Sequence, residues 1–281
     1  MTRGRDAQPD IEVLRPDFPR GDFRAVLFDF DGTLSLIRRN WQDVMIPMMV
    51  DVLTATPSSE TREQLTAVVE DYVMRLNGRQ TIYQMMQLGE EVNLRGGQAL
   101  EPLAYKHQYH ELLWRQVGGR VADLKTGRAT PEEMAVPGAH QLLTALIDAG
   151  LPLFLASGTD LKYVRDELDA IAMSHFFGPR VFGALDAYQD FSKAQIIRRI
   201  ISEHDLAGHQ LLAFGDGFVE IEEVRRVGGL AVGVASEEEK RSGVNTWKRD
   251  RLIRAGADVI IGDYRRLRAL LDLLGIDRRE E

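Results

Sequence analysis

The chain has 281 residues, 44% of them hydrophobic and 28% charged, with a formal net charge of −8 and no cysteine. That apolar content can bury a core in one large domain or two smaller ones, so a disordered or fibrous chain is excluded. The acidic balance gives no electrostatic footprint for nucleic acid or an anionic membrane, and the lack of cysteine excludes disulfides, thiolate catalysis, zinc–sulfur sites and iron–sulfur clusters. What remains is a small-molecule partner, which can be anionic, because local cations and backbone N–H groups hold phosphate even inside acidic proteins.

Residues 1–24 are polar and repeatedly charged, without the apolar segment of a secretory signal, and no later run approaches the ~20 apolar residues needed to span a bilayer. A cytoplasmic protein with no membrane partner is expected. The run Ala25-Val26-Leu27-Phe28 reads as a first strand buried on both faces. Residues 35–135 contain no comparable strand and are dominated by helical periodicity. One helix is expected around residues 41–53, bent or interrupted by Pro47. A second carries Leu65, Val68, Val69, Tyr72, Val73 and Leu76 on one face, and a third covers residues 98–117. Hinge-like material flanks this block at residues 35–40 and 131–138.

Beyond it, apolar runs at residues 151–155, 181–182, 211–214, 230–234 and 258–261 read as strands. They alternate with helical patterns such as Leu142-Leu143-Leu146 and Ile196-Ile197-Ile200-Ile201, the latter opened by Ser192 as an N-cap. The expected fold is α/β, a Rossmann-like parallel sheet with helices on both faces. Residues 1–35 and 136–281 would form that core, and residues 36–135 a smaller all-helical cap.

In open α/β sheets ligands bind beyond the carboxyl ends of the strands. The first strand ends in Asp29 and Asp31, two residues apart and followed by Gly32 and Thr33. One such acid can attack phosphorus and form an aspartyl-phosphate, while the other protonates the leaving oxygen and later takes a proton from water. Asp216, between Gly215 and Gly217, adds a third carboxylate. Three convergent carboxylates repel one another unless a hard cation is present, and Mg²⁺ suits them. Glu220 follows one helical turn later and can support the metal directly or through water, a plain surface glutamate being the alternative. Ser157 and Gly158 offer a hydroxyl and amides to a phosphate, or an ordinary helix N-cap. Lys193 supplies positive charge for the phosphate oxygens; the order of the other motifs outweighs its reading as a surface lysine.

Taken together, D-x-D-G-T at residues 29–33, the strand-end Ser157, the helix Lys193 and G-D-G-x-x-E at residues 215–220 resemble the haloacid dehalogenase-like superfamily. The resemblance implies a Rossmann-like core with a helical cap inserted after the first motif. It also implies Mg²⁺ held by the Asp29 side chain, the Asp31 main-chain carbonyl and Asp216, and phosphate contacts from Thr33, Ser157, Gly158 and Lys193. Within that family an acid at position 31 favours phosphatases and phosphomutases over dehalogenases, phosphonatases and pumps, because a departing alkoxide must be protonated. Where many relatives carry aspartate this chain has Glu220, whose extra methylene favours a water-mediated metal contact.

The expected function is hydrolysis of a small phosphomonoester, such as a sugar phosphate, through an aspartyl-phosphate. The alternatives are a phosphomutase of the β-phosphoglucomutase type and a non-catalytic phospholigand-binding protein. The partner is a small phosphorylated metabolite, and no oligomeric state is legible. In the cap, Arg38, Arg39 and Arg79 are expected to be solvated, with contact to a second anionic group as the alternative. His107 and His110 read as helix-face histidines rather than a metal pair, and Met45, Met48, Met49, Met85 and Met86 as cap core. The charged run at residues 237–250 reads as a solvated loop and helix.

Overall fold

A computed structural model of the chain describes residues 10–185 and 191–277; residues 1–9 of the polar N-terminal stretch lie outside it. Among the described residues seven strands form one sheet: β1 (Ile11–Val13), β2 (Ala25–Phe28), β3 (Leu153–Asp160), β4 (Val181–Ala184), β5 (Leu211–Gly215), β6 (Leu230–Val234) and β7 (Val259–Ile261). Their order is β1-β7-β6-β5-β2-β3-β4, with every pairing parallel except β1 against β7. All residues of β2, β5, β6 and β7 are buried, as continuous apolar runs require when helices cover both faces of a parallel sheet. β2 lies between β3 and β5, so the chain leaving Phe28 emerges near the middle of the sheet.

The strand β1 escapes a reading of hydrophobic runs, because Ile11-Glu12-Val13 is short and only partly buried. Pairing with β7 places it, and Arg249 fixes its Glu12 through an ion pair of 2.6 Å.

Four helices fill the long connection from β2 to β3: α1 (Gln42–Thr54), α2 (Arg62–Leu76), α3 (Thr81–Leu94) and α4 (Pro102–Lys125). The first is not interrupted at Pro47, which faces outward while Met45, Met48 and Met49 are buried. The helix expected at residues 98–117 starts later, at Pro102, since proline suits the first helical position, and it runs on to Lys125. No helix is expected at α3, yet Ile82, Met85, Leu88 and Val92 form its buried face. Entry to and exit from this insertion run side by side: the Leu36 amide donates to the Met134 carbonyl at 2.8 Å and the Val136 amide to the Leu34 carbonyl at 2.9 Å.

The other helices are α5 (Ala139–Asp148), α6 (Leu161–Ala170), α7 (Ser174–Phe177), α8 (Lys193–Glu203), α9 (Phe218–Arg226), α10 (Thr246–Arg254) and α11 (Leu267–Leu274). Ser192 caps α8 as expected, accepting from the Gln195 amide. Strand alternation sends Val26 and Phe28 to one face of the sheet and Ala25 and Leu27 to the other. The first face belongs to a hydrophobic cluster that continues into the insertion through Met45, Met49, Tyr72 and Leu113. No described helix is long and apolar enough to cross a membrane.

Candidate active site

Asp29 is the first residue after β2, tied into the sheet by its amide, which donates to the Phe214 carbonyl at 2.9 Å. Both Asp29 and Lys193, the first residue of α8, are buried, and Lys193 Nζ lies 2.9 Å from Asp29 Oδ2 and 2.7 Å from Glu220 Oε2. Burial raises the Asp29 carboxyl well above its ordinary range; the Lys193 ammonium opposes that, while Glu220 and Asp216 reinforce it. Burial pulls Lys193 down, but its two carboxylate partners outweigh this and hold it firmly protonated.

The chain turns sharply after Asp29, with the Leu34 and Ser35 amides both donating to the Phe30 carbonyl. Gly32 stands at φ +73° in that turn, and a Cβ there would fall 2.2 Å from Asp216 Oδ2. Only glycine satisfies both the backbone conformation and this close approach. Asp31 receives the Thr159 hydroxyl at 2.8 Å and the Ser157 hydroxyl at 3.4 Å, both from the end of β3. Its carboxyl is raised by burial, against the opposing pull of Arg38 and Thr159.

Most of the residues singled out in the sequence meet here. Asp29, Asp31, Ser157, Gly158, Lys193 and Asp216 line one cavity of about 100 Å³. Asp29, Asp216 and Glu220 each offer a carboxylate oxygen within 4.8 Å of the others, an all-oxygen set suited to a hard divalent cation. Glu220 sits behind the cavity rather than on its wall: Oε1 accepts from the Gly217 amide at 2.7 Å and Oε2 from Lys193. Thr33 is fully buried outside the lining; its carbonyl accepts from Tyr264 and its hydroxyl has no partner among the described residues.

Four residues that the motifs do not include complete the site. Arg38, expected in solvent, is buried and makes a 2.6 Å ion pair with the fully buried Glu167, its Nε 3.8 Å from Asp31 Oδ1. Thr159 holds Asp31 as described. Lys248, placed by the charge run among solvated residues, is buried against Asp216 at 2.8 Å. Charge and spacing could not announce these roles, because each depends on a partner far away in sequence. Arg39 and Arg79 line the cavity, with Trp41, Met45, Thr81 and Tyr109 also on the insertion side. Gly78 stands at φ +90° with its Cα region against Gly217, where a Cβ would come within 3.2 Å of the Gly217 Cα, so the loop before α3 rests directly on the loop carrying Asp216. His107 and His110 form no metal group with a third ligand among the described residues.

The haloacid dehalogenase-like hydrolase profile matches residues 23–228. No curated protein sequence matches the chain. Solved structures with a similar fold include a predicted phosphoglycolate phosphatase from Haemophilus somnus, 17% identical, covering 89% of this chain and 98% of its own, with a TM-score of 0.57. A predicted phosphatase from Clostridium acetobutylicum is 17% identical over 89% of this chain and 99% of its own, with a TM-score of 0.58. A protein designated a β-phosphoglucomutase from Thermotoga maritima is 18% identical over 90% of this chain and 100% of its own, with a TM-score of 0.53. At these identities the likeness is one of fold, and the family rests on the profile match: the chain belongs to the haloacid dehalogenase-like hydrolases.

Proposed function

We propose that the chain is a Mg²⁺-dependent phosphatase of small phosphomonoesters that works through an aspartyl-phosphate on Asp29, with residues 36–135 acting as a cap over the remaining core. The observation that carries this reading is the pairing of two differently solvated acids: Asp29 against the Lys193 ammonium, and Asp31 against hydroxyl donors. An Asp29 carboxylate oxygen attacks phosphorus as the ester oxygen leaves, and Asp31 gives that oxygen its proton. Asp31 then takes a proton from the water that attacks the aspartyl-phosphate, releasing inorganic phosphate and free Asp29. Lys193, Ser157 and Gly158 hold the phosphate oxygens.

The convergent carboxylates of Asp29, Asp216 and Glu220 fit a hard divalent cation, and Asp29, the Asp31 carbonyl and Asp216 would hold Mg²⁺. When bound, the ion neutralises the phosphate and the carboxylates around it. Both oxygens of Glu220 are engaged by the Gly217 amide and Lys193, which supports a role in orienting Lys193 and at most a water-mediated contact with the metal. The small cavity, with Trp41, Met45 and Tyr109 on its wall, supports a leaving group of few atoms, so a small metabolite.

The test is inorganic phosphate release from a panel of phosphorylated metabolites with Mg²⁺. Release by the parent and its loss in Asp29→Asn are expected; a variant as active as the parent would overturn the assignment. Isomerised sugar phosphate without phosphate release would make the protein a phosphomutase. Binding without turnover across the panel would make it a phospholigand-binding protein.

A further inference from the structure

Lys248 enters the site from α10. Its side chain is buried, and Nζ lies 2.8 Å from Asp216 Oδ2, 2.6 Å from Glu238 Oε1 and 3.2 Å from Ser236 Oγ. An ammonium has three N–H donors, and these three acceptors use all of them. The Ser236 hydroxyl donates to the Gly32 carbonyl at 2.6 Å, which leaves its oxygen lone pairs to accept from Lys248. The missing side chain of Gly32 makes the room: a Cβ there would lie 2.9 Å from Nζ. Lys248 is thus fixed at three points, and Asp216 Oδ2 is committed to it.

That bond takes one of the lone pairs of Oδ2, and the ammonium beside it repels a second cation there, so Oδ1 is the oxygen that Asp216 offers a metal. Mg²⁺ takes carboxylates one oxygen at a time in an octahedron of about 2.0–2.1 Å, whereas Ca²⁺ takes six to eight oxygens and readily accepts both oxygens of one carboxylate. We propose that Lys248 is a positioning residue that confines Asp216 to one-oxygen coordination and so makes the site discriminate Mg²⁺ from Ca²⁺. The inference rests on the reading of Asp216 as a metal ligand. The selectivity then comes from a resident ammonium rather than from the ligand set itself.

Calorimetric titration of Mg²⁺ and of Ca²⁺ into the full-length protein tests it, through the ratio of the two dissociation constants. Removing a nearby positive charge tightens both ions together, so only a change in coordination moves the ratio. Lys248→Met is expected to bring Ca²⁺ closer to Mg²⁺ by on the order of tenfold, the size of effect that outer-shell partners exert. Glu238→Gln alters the charge but keeps an amide oxygen for Nζ, so both ions should weaken in parallel with the ratio held. Ser236→Ala removes one of the three anchors and should shift the ratio in the same direction as Lys248→Met, by less, which keeps the test open if the lysine variant does not fold. An unmoved ratio in a folded Lys248→Met or Ser236→Ala protein overturns the role of Lys248 alone. A parent that binds neither ion overturns the metal reading, and this inference with it.

Discussion

Burial raises the Asp31 carboxyl, Arg38 and the Thr159 hydroxyl pull it back, and Asp216 adds to the rise. A carboxyl so placed can stay protonated long enough to serve a departing alkoxide. Asp31→Asn should therefore lower kcat/KM for alkyl phosphates by about 10²–10⁴-fold, the usual worth of general acid–base catalysis. The loss should be much smaller with 4-nitrophenyl phosphate, whose leaving group departs without a proton. Equal losses on both substrates would show that Asp31 does something other than donate. Asp29, Asp31 and Asp216 were legible because each sits in a short glycine-containing motif at the end of an apolar run. Arg38 and Lys248 were not, because a charged side chain reads as solvated unless its partner is known, and Glu167 lies 129 positions from Arg38. Within the same charged run Glu239 and Lys240 are indeed exposed while Lys248 is buried, so composition alone had no means of separating them.

At the scale of elements, α10 faces two ways. Lys248 points to Asp216, and one turn later Arg251 reaches the insertion, donating to the carbonyls of Met74 at 2.5 Å, Asn77 at 2.6 Å and Arg75 at 3.2 Å. Its guanidinium lies over the rings of Phe218 and Trp247, 4.7 and 5.2 Å from their centroids. The last carbonyls of a helix have no partner within it, so Arg251 caps α2 from outside and steadies the loop that begins at Gly78. Arg251→Ala should raise KM several-fold with little change in kcat, and lower stability by about 1–3 kcal/mol; an unchanged KM would sever α10 from substrate binding. The helix α4 carries a pH effect instead. Burial, with Arg38, Lys106 and Lys162 nearby, lowers His110 to about 3, and Asp160, 3.7 Å away, is already taken by Lys106 at 2.5 Å. Between pH 6.5, where the unfolded histidine takes up its proton, and pH 3, the folded chain refuses that proton, so acidification costs stability. At pH 5 that cost is about 2 kcal/mol, and His110→Gln should remove it, as urea midpoints at pH 7.5 and pH 5 would show.

For the molecule as a whole, the parallel sheet was legible from its buried runs, since strands covered on both faces announce themselves by apolar continuity. The edge strand β1 was not, nor was α3, which opens after Gln80 without a capping side chain to mark its start. The hydrophobic cluster on one sheet face continues into the insertion without a polar break. Heating should therefore melt insertion and sheet in one calorimetric transition, and two resolved peaks would show that they are stable separately.

The placement of β2 between β3 and β5 also bears on how the protein comes to be made. Asp29 follows β2, but its neighbours in the sheet and the carboxylates and ammonium groups around it come later in the chain, as far along as Lys248. Such long closures come late in folding. A chain made only as far as β2 thus carries an Asp29 without partners, and the pocket around it closes only once α10 has been released as well.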